Sequence, residues 1–330
     1  MKRELIVVTT IALLFVLVGQ AVVYWANPYS FDSDVSISGS GIHYELSSNS
    51  ATDYSVIVFD NGGFEINELY IYYDDAYGTA GISHEGQTQY IKHLKIELER
   101  RNFKNVFMVN AEELRELTDD MTSAAGKAVL MSSGVFPQTV YTGQPDDSIL
   151  EWASAGGTVY WVGYPIGRYY GTDDGKTAVV QDSNKIIFGA TNAVNMSNNL
   201  KYGYDTATDR DVGRIFSMNY NGIFGGLSTS LPNTKSVSFI GDGYSSTAFH
   251  AYGAGMIAVF GGDMGECRPG MVQAIVSGLS CYSDFSTIET RTGPFKGNMS
   301  GDIDITFGSN VTAYVFFGGD YTVYGRSFSL

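Results

Sequence analysis

Basic residues are scarce in this chain: 20 lysines and arginines face 35 aspartates and glutamates, a net charge of -15. No long basic patch occurs, which argues against a nucleic-acid backbone or an anionic lipid surface as partner, because arrays of cations hold both. Cysteine occurs only as Cys267 and Cys281. A helix expected over Pro269 to Leu279 would hold their Cα atoms about 15 to 20 Å apart, against a limit of about 7 Å for a disulfide. No bridge is expected. The histidines are His43, His84, His93 and His250. His84 and His93 would point to opposite sides of a helix, so a shared zinc is not expected, and nothing calls for a cofactor.

Long apolar runs are also rare, with one exception. Leu5 to Ala26 carries no charge and follows Lys2 and Arg3. As a helix it is about 33 Å long, enough to cross a hydrocarbon core of about 30 Å. Residues 1–27 are therefore read as a transmembrane signal anchor in the cell membrane. Lys2 and Arg3 stay in the cytoplasm, Tyr24 and Trp25 lie in the outer aromatic belt, and everything after Asn27 is extracytoplasmic. A cleaved signal peptide is the alternative, although only Gly19-Gln20-Ala21 approximates a cleavage site. Three sequons suit an exported glycoprotein, with acceptors at Asn195, Asn298 and Asn310.

What is plentiful is apolar and small. Hydrophobic residues make up 44% of the chain and aromatics 14%, enough for a substantial core in one or two domains. Asp34 to Leu46 and Tyr54 to Asp60 read as strands without a nearby partner. Three short C-terminal strands are expected at Gly301 to Phe307, Val311 to Phe317 and Tyr321 to Phe328. An isolated hairpin is marginal in water, so the two ends (residues 28–66 and 286–330) are expected to form one small antiparallel β unit.

Between them, strands and helices alternate, which predicts a mainly parallel sheet flanked by helices. The expected order is strand Leu69 to Tyr73, helix Glu85 to Arg101, strand Val106 to Val109, helix Ala111 to Leu117 and strand Ala128 to Met131. Helix Ile149 to Ala155, strand Thr158 to Val162, strand Gly255 to Phe260 and the Pro269 helix complete it. Ile186 to Phe188, Ile215-Phe216 and Ser236 to Ile240 read as added strands.

The central motif is ILEWASAGGTVYWVGYPIG, Ile149 to Gly167: a helix, a Gly156-Gly157 stop, an apolar strand and a glycine-flanked turn. With the strand ending in Asp74-Asp75, VFMV, VLMSSG and the late GMIAVFGGDMGE, this order resembles the class I glutamine amidotransferase-like superfamily over residues 67–285. It looks like a non-catalytic, membrane-associated branch, similar to the lumenal domain of an oligosaccharyltransferase subunit. The resemblance implies a flavodoxin-like α/β fold. The family's enzymes carry G-x-C-x-G at the elbow and a late His with Glu two residues on, giving a nucleophile, a base and an orienter. Here the elbow is Gly163-Tyr164-Pro165-Ile166-Gly167, and proline has no nucleophilic atom. The late turn, Gly262 to Glu266, has no histidine. The resemblance thus argues against glutamine hydrolysis, and Glu266 is either a residual acid or a helix cap.

In an open α/β sheet, ligands sit outside the carboxyl ends of the strands. Asp74, Asp75, Ser133, Gly134, Tyr164, Arg168 and Asp263 are expected there, and carboxylates, amides and an aromatic face suit a polyhydroxylated ligand such as a sugar. The remaining acidic pairs read as caps and turns, since none has calcium-loop spacing. Two function classes follow. One is an envelope binding or assembly component without catalysis, its partner an envelope protein or a glycan. The other is a glycan hydrolase or transferase working through carboxylates such as Asp74 or Asp263, which requires two acids about 5 to 10 Å apart across an open cleft.

Overall fold

The computed structural model describes residues 31–38, 41–60, 64–196, 204–205, 224–240, 243–261, 267, 269–282, 284–304, 310–317 and 322–329. Two compact units share the chain. One draws on both ends, up to Val58 and over Thr287–Thr306 and Ala313–Phe328; the other is built mainly from Phe59–Ser286.

The strands are, in chain order, β1 (Phe31–Ser38), β2 (Gly41–Asp60), β3 (Glu68–Tyr72), β4 (Val106–Val109), β5 (Lys127–Met131) and β6 (Phe136–Pro137). Then come β7 (Thr158–Gly163), β8 (Tyr169–Gly171), β9 (Thr177–Val179), β10 (Tyr204–Asp205), β11 (Leu227–Ser228) and β12 (Thr234–Ile240). The last are β13 (Tyr244–Tyr252), β14 (Gly255–Gly261), β15 (Asp284–Asp304), β16 (Asn310–Phe317) and β17 (Thr322–Ser329). The helices are α1 (His84–Arg100), α2 (Ala111–Asp119), α3 (Ser148–Ser154), α4 (Ser183–Phe188) and α5 (Pro269–Ser277).

In the unit from the chain ends, β1, β2, β16 and β17 form one sheet, and β15 also pairs with β2. Asp34 to Leu46 is not one strand as the sequence suggests. Ser38 pairs with Gly41 across a two-residue connection, so a hairpin sits inside that segment. Residues 47–53, Ser-rich and set between the two expected strands where a connecting loop would fall, lie within β2. Tyr44 and Leu46 are buried, and a side chain at Gly301 would meet the Tyr44 ring, so β15 passes close over β2.

The other unit is the expected parallel sheet with an antiparallel extension. Five strands run parallel in the order β14-β7-β5-β3-β4. In chain order these are the fifth, fourth, third, first and second, the 2-1-3-4-5 order of a doubly wound sheet. Beyond β14 the sheet continues antiparallel through β13 and β12 to β10. β7 and β14 are buried along their whole length, as strands covered on both faces must be.

Local chemistry sets the helices. In α1 the stripe Gln87, Tyr90, Ile91, Leu94, Leu98 is buried and the Ser83 hydroxyl accepts from Gly86 N, capping the start. A reciprocal box caps α2: Asn110 Oδ1 accepts from Glu113 N at 2.9 Å while Glu113 Oε2 accepts from Asn110 N at 2.9 Å. At the end of α3, Gly157 lies so near the Trp152 ring that an added Cβ would fall 2.3 Å from it. Only glycine permits that close approach. In the core the Phe136 ring lies 4.7 Å from Trp161 and 5.1 Å from Tyr141, centroid to centroid.

Two expectations change here. Ile186 to Phe188 belongs to α4, not to a strand, because Gly189 at φ +70 donates to Lys185 O and closes a short helix. β13 goes unread in the sequence, since Ser245, Ser246 and Thr247 are fully buried hydroxyl residues in a central strand. Ile215 and Phe216 lie outside the described residues, as does Leu5 to Ala26. Among the described residues no helix is long and apolar enough to cross a membrane. Cys267 and Cys281 are free.

His250 on β13 gives this unit an acid sensitivity. Its Nδ1 is 2.8 Å from Thr234 Oγ1, and the Phe188 ring lies edge-on at 5.2 Å. Burial lowers its pKa to about 4. The native ring is neutral, whereas an unfolded histidine titrates near 6.5. Its contribution is thus complete above about pH 6.5 and is lost as pH falls toward 4. Between pH 7.5 and 4.5 the wild type should lose about 2 to 3 kcal/mol more stability than His250→Phe. Urea melts of both proteins at the two pH values check this; equal losses would show that the ring does not titrate on unfolding.

Candidate functional site

The parallel strands deliver most of the expected residues to their carboxyl ends, and the chain fills much of the space between them. The point where strand order reverses lies between β3 and β5, where a doubly wound sheet opens its crevice. The segment leaving β3 crosses that point. Ala80 N donates to Ser133 O at 2.9 Å, and a Cβ on Gly134, at φ +71, would fall 2.0 Å from Ala80 O. Ser133 is buried and its hydroxyl donates to Val135 O at 2.7 Å. Ser133 and Gly134 therefore shape the floor beneath the loop.

Asp74 is held at the loop's start. Oδ1 accepts from Ala76 N at 3.0 Å, and Oδ2 accepts from Ala111 N at 3.1 Å, at the first residue of α2. Both oxygens serve turn and helix-end amides. Asp75 is exposed. Asp263, with the rest of 262–266, lies outside the described residues.

At the elbow, Gly163 (φ +90) and Gly167 (φ +67) both take the left-handed conformation that glycine adopts without strain. Arg168 N donates to Pro165 O at 3.1 Å, closing a turn. Pro165, Ile166 and Gly167 are buried. Tyr141 Oη donates to Gly167 O at 3.1 Å, and Trp161 Nε1 donates to Tyr164 O. A Cβ on Gly225 would come within 2.3 Å of Gly163 O, so the 224–226 segment lies directly on the turn. Tyr164 is half-buried, edge-on to Phe224 at 4.9 Å and 5.7 Å from Tyr169; the Arg168 guanidinium sits 6.0 Å from the Tyr169 ring centre. Tyr164 also reaches Gly134, whose added Cβ would meet the Tyr164 Cβ at 3.3 Å. The structure thus joins Ser133, Gly134 and Tyr164 across β5 and β7.

Two polar groups that sequence reasoning misses stand nearby. Gln87 donates through Nε2 to Tyr72 O at 3.1 Å while its Oε1 has no partner, and Ser132 Oγ, one residue beyond β5, also has none. A polar residue in the apolar stripe of α1 is the signal for Gln87.

Several other ionisable groups serve local structure. Asp147 Oδ2 accepts from the amides of Thr142, Gly143 and Gln144, Asp120 from the Thr122 and Ser123 hydroxyls, and Asp174 pairs with Lys176. Among the described residues no cluster suits a metal ion. Burial pushes the Cys267 thiol up to about 12 and Cys281 up to about 11. Neither supplies a thiolate at neutral pH. Of the sequon acceptors, Asn195 is 7% exposed and its backbone bonds to Gly225 and Gly226, Asn298 is exposed on β15, and Asn310 opens β16.

No family model and no curated protein matches this chain. Among solved structures it is similar to the exo-beta-1,4-mannosidase Op5Man5 from Opitutaceae bacterium strain TAV5, at 13% identity and a TM-score of 0.40. The match covers 64% of this chain and 36% of that enzyme, so the chain spans little more than a third of the enzyme's length. At that score the likeness carries no argument about function.

Proposed function

We propose that this chain is a membrane-anchored, extracytoplasmic binding or assembly component of the cell envelope that recognises a glycan. Its α/β unit is a flavodoxin-like, amidotransferase-like domain that hydrolyses no glutamine. Leu5 to Ala26 anchors it, and residues after Asn27 face outward. The observation that carries this reading is the elbow: Pro165 stands buried where the resembled family places its cysteine, and the 224–226 segment lies on the turn that a substrate carbonyl would have to reach.

Three further facts support it. The two cysteines are held as thiols, Asp74 is engaged by two backbone amides, and His250 is enclosed by Thr234 and Phe188. A hydrolase working through Asp74 would need that carboxylate free to take or give a proton.

The test is turnover of glutamine and of an activated ester by the full chain in detergent, beside Pro165→Cys and Cys267→Ser. All three should stay at background. A thiolate and its base act as a unit worth about 10⁶ in rate, so restoring the sulfur alone rescues nothing. Wild-type hydrolysis that vanishes in Cys267→Ser would mean a relocated nucleophile and would overturn the non-catalytic reading. Recovery from the membrane fraction with an intact N-terminus is the companion result expected for the anchor.

A further inference from the structure

Away from the elbow, on the antiparallel side of the same unit, a groove of roughly 590 Å³ runs between the end of α4, the turn after β11 and the start of β13. Its size falls within the range of small-molecule sites, about 300 to 1,000 Å³. Its walls are tied to one another by the protein's own hydrogen bonds. Asn184 Nδ2 donates to Thr191 O at 2.9 Å, holding the segment that follows α4. Ser228 N donates to Ala193 O at 2.8 Å, and Thr229 donates through N and Oγ1 to Gly243 O at 2.8 and 3.0 Å. Tyr244 Oη reaches Asn192 O at 3.4 Å. A groove cross-tied in this way is formed before any ligand arrives, which lowers the ordering cost of binding.

The lining sets the ligand class. Thr191, Asn192, Ser230 and Tyr244 bring hydroxyls, an amide and one aromatic ring, Pro232 adds a rigid apolar surface, and Lys185 is the one charged residue among the described lining. A lipid or other apolar ligand would leave these polar groups without water or partner. A phosphate group calls for several cations or a row of backbone amides, and a single exposed lysine supplies neither. A sugar ring carries hydroxyls that both donate and accept, around an apolar face that lies against an aromatic ring. The geometry points to this groove, lined by Asn192, Ser230 and Tyr244, as a binding site for a neutral oligosaccharide.

The inference rests on the glycan-recognition reading above and locates that recognition at the groove instead of the strand ends. Its test uses the full chain in a sugar-free detergent, titrated with cellotetraose, mannotetraose and chitotetraose and, for comparison, with tetragalacturonate, by saturation-transfer NMR and calorimetry. At least one neutral tetrasaccharide should bind more tightly than the acidic one. Asn192→Ala, at an exposed position, and Tyr244→Leu should each weaken it by about tenfold or more. Neutral-sugar binding that survives both substitutions but disappears in Arg168→Ala would overturn the groove while leaving glycan recognition in place at the elbow. Preference for tetragalacturonate would overturn the neutral assignment. Failure of every saccharide to bind would overturn the groove and the glycan reading together.

Discussion

Gly134→Ala is expected to destabilise the α/β unit by about 3 to 5 kcal/mol, read as a lower urea midpoint at unchanged slope. Two costs add. An L side chain at φ +71 is strained, at about 1 to 2 kcal/mol. The new Cβ would also stand 2.0 Å from Ala80 O, a backbone atom that no rotamer change removes. Relief requires the loop over β5 to lift, which breaks the Ala80 N to Ser133 O bond of 2.9 Å. Gly189→Ala is the control. Its φ is +70 with nothing within 4 Å of the added carbon, so it should cost only the conformational part, about 1 to 2 kcal/mol. Equal costs at the two positions would show that the loop does not rest on Gly134.

Deleting residues 301–330 should abolish the terminal β unit altogether. The deletion removes β16, β17 and the end of β15, leaving β2 with β1 and what remains of β15. It also removes the backbone at Gly301 that covers Tyr44, and with it the 2.7 Å contact between His43 Nδ1 and Asp302 Oδ1. A three-stranded remnant that has lost the cover over Tyr44 has too little apolar face buried to stand alone, and an unpaired β2 edge invites association between chains. Light scattering should show oligomers, and the melting profile should lose one transition while that of the α/β unit persists. A truncated chain that stays monomeric with unchanged melting would show that the two chain ends do not depend on each other.

The parallel half of the fold is legible in the sequence because each element carries its own local signal. Thr158 to Val162 is apolar throughout, Gly156-Gly157 marks the stop before it, and the Tyr90, Ile91, Leu94, Leu98 spacing fixes the buried face of α1. The antiparallel half is less legible, because packing there overrides local type. Ser245, Ser246 and Thr247 look like loop residues yet lie fully buried, with the Ser245 hydroxyl donating to Thr247 O at 2.7 Å. A three-residue apolar run at Ile186 has no period at all, and the glycine after it decides for helix. At the strand ends, residue identities are legible but their occupancy is not. What covers the elbow is the 224–226 segment, some sixty residues downstream, and what covers Gly134 is the loop leaving β3. Such closures depend on contacts distant in sequence, which no local pattern encodes.

The terminal β unit also has a timetable. His43 and Asp302 touch although they are 259 positions apart, and Phe59–Ser286, the bulk of the α/β unit, is encoded in between. At about 5 to 20 residues per second, β2 waits on the order of ten to fifty seconds for its last partners to be synthesised. During that interval the middle of the chain has everything its own core requires, so it can fold first. The strands nearest the N-terminus emerge first and finish last. β2 is therefore the segment that a holding chaperone has most reason to cover, and a ribosome stalled after about residue 290 would release a chain with a folded middle and an unfinished sheet beside its N-terminus.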